Sequence, residues 1–130
     1  MAAVLLVEDD EFVRQMLHWV LEDEGYEVME ATDGAAGLST LRASPSPLVV
    51  LLDHLLPAIK GSDVLDRVKQ DPTLQRHAYI YLTAVSPSDL QSEHRELPRD
   101  IVGDVIYKPF RLDRLLRAVT AAEVLCGAAV

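Results

Sequence analysis

Glu8, Asp9 and Asp10 follow one apolar run, residues 3–7, and Asp53 follows a second, residues 48–52. Thr83 closes a third run, residues 79–82, and Lys108 closes a fourth, residues 104–107. Carboxylates brought together repel one another unless a cation holds them, and a hydroxyl and an ammonium beside them suit a phosphoryl group. The residue types therefore point to an Mg²⁺-dependent aspartyl-phosphate site. Mg²⁺ prefers oxygen ligands, near-octahedral geometry and retained waters, with one or two protein carboxylates plus phosphate oxygens. Zinc would require His or Cys. Asp53 is the candidate nucleophile, since an ionised carboxylate can attack phosphorus to form an acyl phosphate, and Mg²⁺ and Lys108 both favour its ionised form. Lys108 would supply a point charge, Thr83 a hydroxyl donor, and backbone N–H groups near Ala84 and Leu55 further donors. Each group taken singly has an ordinary role as a helix cap, a strand-end hydroxyl or a solvated charge. The four together, each where a strand-like run ends, carry the chemistry.

Convergence of such distant residues needs a sheet whose strands all end on one edge. Five apolar runs alternate with five helix-like stretches. The first strand covers residues 3–7 and the first helix residues 11–24, where Val13, Met16, Leu17, Val20 and Leu21 share one face and Gly25 marks the end. A weaker strand over 27–31 and a turn at Asp33-Gly34 lead to a small-residue helix over 35–41, ended by Pro45 and Pro47. The run 48–52 is apolar without alternation, as in a central parallel strand covered on both faces. Ser62 is placed to cap a third helix running to Gln70, ahead of Asp71-Pro72. The stretch from Val85 to Asp100 is the least regular. Pro87 can open a helix with Ser86 or Ser88 as its cap, and Pro98 must end it. The last helix follows Pro109-Phe110 and uses Leu112, Leu115, Leu116, Val119 and Ala122. This alternation implies an α/β fold: a doubly wound, flavodoxin-like (βα)₅ parallel sheet in the order 2-1-3-4-5. Strands 1 and 3 are then neighbours at the topological switch point, with Glu8 and Asp9 beside Asp53. Side chains alternate along a strand, so Asp10 is assigned to capping the first helix.

The 130 residues are expected to form one domain spanning 1–130 without an output domain, and the hydrophobic content of 49% excludes disorder. The net charge of −9 argues against nucleic-acid binding by the chain's own field. No apolar segment is long enough to span a membrane, and no basic region precedes the first apolar stretch as in a signal peptide. The single cysteine, Cys126, reads as a small hydrophobe, and a cytoplasmic location is expected. His18, His54, His77 and His94 show no metal-ligand spacing, and each reads as a surface residue. Trp19 and His18 fall off the apolar stripe of the first helix.

The four motifs together resemble those of a bacterial two-component response-regulator receiver domain of the stand-alone, chemotaxis-receiver-like kind. They are Val4-Leu5-Leu6-Val7-Glu8-Asp9-Asp10, then Asp53-His54-Leu55-Leu56-Pro57 with Gly61, then Tyr81-Leu82-Thr83-Ala84, and Tyr107-Lys108-Pro109-Phe110. The resemblance covers essentially the whole chain. It implies phosphoryl transfer to Asp53 from a phosphohistidine of a sensor histidine kinase or histidine phosphotransfer protein. It implies Mg²⁺ held by Glu8, Asp9, Asp53 and the backbone carbonyl of Leu55. It also implies that Thr83 moves to bond the phosphoryl group, that Lys108 pairs with it through a cis Lys-Pro bond, and that the first helix meets the kinase. An unknown downstream protein would read the switch. Three features depart from the family pattern. Val105 stands where an aromatic switch residue is usual, and Tyr107 is the candidate substitute on the same side of the strand. The interval from Thr83 to Lys108 is long and contains Pro98. Leu55 and Val85 are apolar at positions that influence dephosphorylation, so slow loss of the phosphoryl group is expected.

Other functions remain open at this level. An FMN binder would need a Ser/Thr-rich first loop, where Glu8-Asp9-Asp10 would repel the phosphate. A dinucleotide binder needs a glycine-rich first turn, whereas Gly34 and Gly37 follow strand two. An aspartate-nucleophile phosphohydrolase commonly has a second acid two residues on, where this chain has Leu55. A receiver-like scaffold that works without phosphorylation is the remaining alternative.

Overall fold

The computed structural model of the chain describes residues 2–84 and 100–128. β1 (Val4–Val7), β2 (Val28–Ala31), β3 (Val49–Asp53), β4 (Ala78–Thr83) and β5 (Val102–Tyr107) form one parallel sheet in the order 2-1-3-4-5. Four helices join the described strands: α1 (Glu11–Asp23), α2 (Gly34–Ala43), α3 (Gly61–Gln70) and α4 (Leu112–Ala128). The helix expected between Val85 and Asp100, with Pro87 and Pro98, lies outside the described residues.

The apolar runs lie at the centre because a parallel strand flanked by helices must bury both faces. Every residue of β1 and β3 is buried. Alternate residues serve two cores. Leu5, Val7, Val50 and Leu52 face α2 and α3, whereas Val4, Leu6, Val49 and Leu51 face α1 and α4. Burying a large aliphatic side chain contributes roughly 1.5–3 kcal/mol, so these rows fix the strand register, since a slip by one residue would exchange the two faces.

Local chemistry sets the helix starts. Asp10 caps α1, its Oδ1 accepting from the Val13 N–H at 2.9 Å, as expected. Asp33 does the same for α2 through the Ala36 N–H at 2.8 Å. The start of α3 differs from the sequence reading. Its cap position is Lys60, not Ser62, and Asp63 reaches back to accept from the Lys60 N–H at 3.0 Å. Gly61 has to be glycine, because an added Cβ would lie 2.3 Å from the Asp53 carbonyl oxygen. The close approach seats α3 directly behind the end of β3.

Two histidines correct the expectation that all four are surface residues. His54 and His77 are buried, and His18 is partly exposed; His94 lies outside the described residues. The Nδ1 of His77 accepts from the Leu48 N–H at 2.9 Å, so its proton is on Nε2, which donates to the Leu41 carbonyl at 3.0 Å. The Nδ1 of His54 meets the Tyr81 hydroxyl. Cys126 is free and buried, as its reading as a small hydrophobe requires. No helix among the described residues is long and apolar enough to cross a membrane.

Candidate functional site

The site lies at the carboxyl ends of β1, β3 and β5, where continuation of the strand alternation sends Glu8, Asp53 and Lys108 to one side. Glu8 follows Leu6, Asp53 follows Leu51 and Lys108 follows Ile106, all residues of the α1/α4 face. The Glu8 N–H still bonds the Ala31 carbonyl at 3.0 Å, which extends the ladder one residue past β1. Glu8 and Asp53 are buried, and Asp9 is exposed. One carboxylate oxygen from each of Glu8, Asp9 and Asp53 lies within 4.8 Å of the others. Lys108 reaches across from the end of β5. Its Nζ donates to Asp53 Oδ1 at 2.9 Å and to Glu8 Oε1 at 3.2 Å. The Lys108-Pro109 peptide bond is cis.

The electrostatics follow from this packing. Burial, then the hydrogen bond and charge of Asp53, push Glu8 up from about 4.5 to about 7, against the pull of Lys108. Burial acts to lower Lys108, but its bonds to Asp53 and Glu8 outweigh that and hold it above its ordinary value. Near neutral pH the site is a charged lysine facing a Glu8 carboxyl that still holds much of its proton.

Thr83 is fully buried at the end of β4, one residue past Leu82, the register partner of Asp53. Its carbonyl accepts from the Lys108 N–H at 2.7 Å, which ties the ends of β4 and β5 together. Leu55 projects into solvent, 59% exposed, two residues after Asp53. Val105 is half-buried against the α2/α3 core, and Tyr107 on the same strand is exposed. Val85 lies outside the described residues. Trp19 is 69% exposed on α1, and Phe12 on the same helix is exposed as well.

Arg14 escaped the sequence reading. Its Nη1 donates to the carbonyls of Glu8 and Asp9 at 3.0 and 3.3 Å, and its Nε bonds Glu30 Oε1 at 2.7 Å. A cation near the start of a helix opposes the helix dipole, and that mismatch is the one local signal that Arg14 has another task.

Five parallel strands in this order, with an acid cluster and a lysine at the carboxyl edge, define a class of doubly wound α/β domains that carry a carboxylate site at the switch point. A family model described as the response regulator receiver domain matches residues 4–120, and the chain belongs to that family. It is 33% identical over 125 residues to the transcriptional regulatory protein YkoG of Bacillus subtilis, covering 92% of this chain and 50% of that protein. It is 30% identical over 118 residues to the phosphate regulon transcriptional regulatory protein PhoB of Escherichia coli, covering 91% of this chain and 50% of that one. The chain thus spans about half the length of these curated relatives. Among solved structures, a CheY-like response regulator receiver domain protein from Methanospirillum hungatei matches with a TM-score of 0.80 at 26% identity, over 95% of this chain and 96% of that one. The chemotaxis protein CheY4 of Vibrio cholerae matches with a TM-score of 0.79 at 26% identity, over 94% and 98% respectively.

Proposed function

We propose that the chain is a phosphorylation-controlled signalling switch that accepts a phosphoryl group on Asp53. The observation that carries this reading is Lys108 Nζ bridging Asp53 and Glu8 at 2.9 and 3.2 Å, with Asp9 in the same cluster. A lysine so placed pairs with the carboxylate before transfer and with a phosphoryl group after it.

The donor set suits Mg²⁺, because three carboxylate oxygens lie within 4.8 Å of one another without a nitrogen or sulfur ligand among them. Glu8, Asp9, Asp53 and the Leu55 carbonyl would hold the ion. When bound, it neutralises the clustered acids and draws charge from the phosphoryl oxygens. The Asp53 carboxylate attacks the phosphorus of a phosphohistidine on a sensor kinase or phosphotransfer protein. The new O–P bond forms as the P–N bond breaks, and the departing imidazole takes up a proton. Lys108 follows the transferred charge, and the Thr83 hydroxyl donates to a phosphoryl oxygen. Val105 has no ring to rotate, so Thr83 carries the response, with exposed Tyr107 as the candidate substitute. A downstream protein that prefers one of the two states reads the signal. The charge of −9 supports a protein rather than a nucleic-acid target, and the location is cytoplasmic.

Mass spectrometry after incubation with a small phosphodonor and Mg²⁺ tests this. Wild type should gain one phosphoryl group, and Asp53→Asn none. Equal labelling of the variant, or none of the wild type, would sink the assignment. Catalytic turnover of phosphate esters would favour a phosphohydrolase instead, which the exposed apolar Leu55, in place of a second acid, argues against.

A further inference from the structure

Asp9 is the acid of the cluster that the sheet does not hold. Its neighbours are fixed, Glu8 by the ladder bond to Ala31 and Asp10 by its cap on Val13. Asp9 sits between them, exposed and past the end of β1, yet its carboxylate has to meet those of Glu8 and Asp53. The carbonyls of Glu8 and Asp9 belong to the two peptide planes on either side of Asp9. Both accept from the same Arg14 Nη1, at 3.0 and 3.3 Å. A peptide unit is planar, so anchoring both planes restricts φ and ψ of Asp9 and aims its Cα–Cβ bond.

Arg14 is itself anchored. Its Nε donates to Glu30 Oε1 at 2.7 Å, and the other oxygen of Glu30 meets His18 Nδ1 at 2.7 Å. The Arg14 side chain is 14% exposed, which limits competition from water. The geometry requires a rigid fork with one arm on a carboxylate and another on two carbonyls. A guanidinium provides it and an ammonium does not. Glu30 lies on β2 as the register partner of Leu6, so the clamp ties α1, β2 and the acidic loop into one unit.

We infer that Arg14, held by Glu30, is a positioning residue for the cation pocket and acts by setting the two peptide planes that aim the Asp9 carboxylate. The inference rests on the reading of that pocket as an Mg²⁺ site. Groups that orient metal ligands from outside typically govern metal affinity by about 10- to 100-fold.

Calorimetric titration of Mg²⁺ into the phosphate-free protein tests it, with thermal melting as a check on folding. Arg14→Gln should weaken Mg²⁺ affinity by about tenfold. Arg14→Lys, which keeps the charge without the fork, should not restore it. Glu30→Ala should loosen the clamp from outside and weaken affinity in the same direction, giving a second route if Arg14→Gln folds poorly. Because Arg14 acts through Asp9, the double variant Arg14→Gln with Asp9→Asn should bind no more weakly than Asp9→Asn alone. Full restoration by lysine, or additive losses in the double variant, would overturn the inference while leaving the metal pocket in place. If wild type itself bound no Mg²⁺, the pocket reading would fall first, and the inference with it.

Discussion

Leu55 holds the position two residues past Asp53 and turns an apolar, 59% exposed side chain to solvent. Hydrolysis of an acyl phosphate needs an in-line water, and a polar side chain there could orient one by a hydrogen bond. Leu55 offers neither donor nor acceptor. The acyl phosphate on Asp53 is therefore expected to persist, and Leu55→Asn to hasten its loss. One added hydrogen bond contributes about 1 kcal/mol, which corresponds to an acceleration of about fivefold. Following the decay of the phosphorylated species by intact-mass spectrometry after removal of the donor measures the difference. Wild-type decay as fast as that of the variant would refute it.

Among the elements, the junction of α2, β3 and β4 is held by His77, the first residue before β4, through both of its ring nitrogens. Replacing it with alanine leaves the Leu48 N–H and the Leu41 carbonyl without these partners in a buried place, at a cost of about 2–4 kcal/mol. Burial, together with the nearby Arg76 charge, holds the His77 imidazole below its ordinary 6.5, against the opposing hydrogen bond to Leu41. Below about pH 6.5 the unfolded chain takes up a proton that the folded chain refuses, so this histidine's contribution is full above that pH and is lost as pH falls toward its lower folded value. Urea unfolding should show the gap between wild type and His77→Ala narrowing from about pH 7.5 to about pH 5.5; a constant or widening gap would contradict the assignment. None of this was legible from the chain alone, because the partners of His77 lie 29 and 36 residues away and that of His54 lies 27 away. What local pattern determines was legible. β1 and β3 are unbroken apolar runs, and they emerged within a residue of their expected bounds. Glu8, Asp53 and Lys108, each at a strand end, needed only the parallel topology to converge. The reading failed where a tertiary or reciprocal contact decides. Ser62 looked like a cap, but Asp63 serves α3 from inside the helix. β5 begins at Val102, ahead of the expected 104, because Val102 is buried against the α2/α3 core despite the glycine beside it.

At the scale of the whole molecule, the acid cluster is a fault in the metal-free fold that a cation would repair. Folding carries Glu8 into a buried position beside Asp53 and raises it from about 4.5 to about 7. The folded chain therefore keeps a proton that the unfolded chain releases near pH 4.5. Stability from this group is full below that pH and is lost as pH rises through about 7. Magnesium bound only to the folded state adds RT ln(1 + [L]/Kd), about 1.4 kcal/mol at ten times Kd. An ion held at the proposed site would compete with the Glu8 proton for the same oxygens, so its apparent affinity should rise with pH. The Mg²⁺-induced gain in unfolding free energy should then be larger at about pH 8 than at about pH 6. Glu8→Gln should remove much of the pH dependence of the metal-free protein over that range, and raise its stability at the upper end by on the order of 2 kcal/mol. Chemical denaturation at the two pH values, with and without Mg²⁺, measures all four quantities. A gain equal at both pH values would mean that Glu8 and the ion do not share a site, and the pocket would have to be redrawn around Asp9 and Asp53 alone.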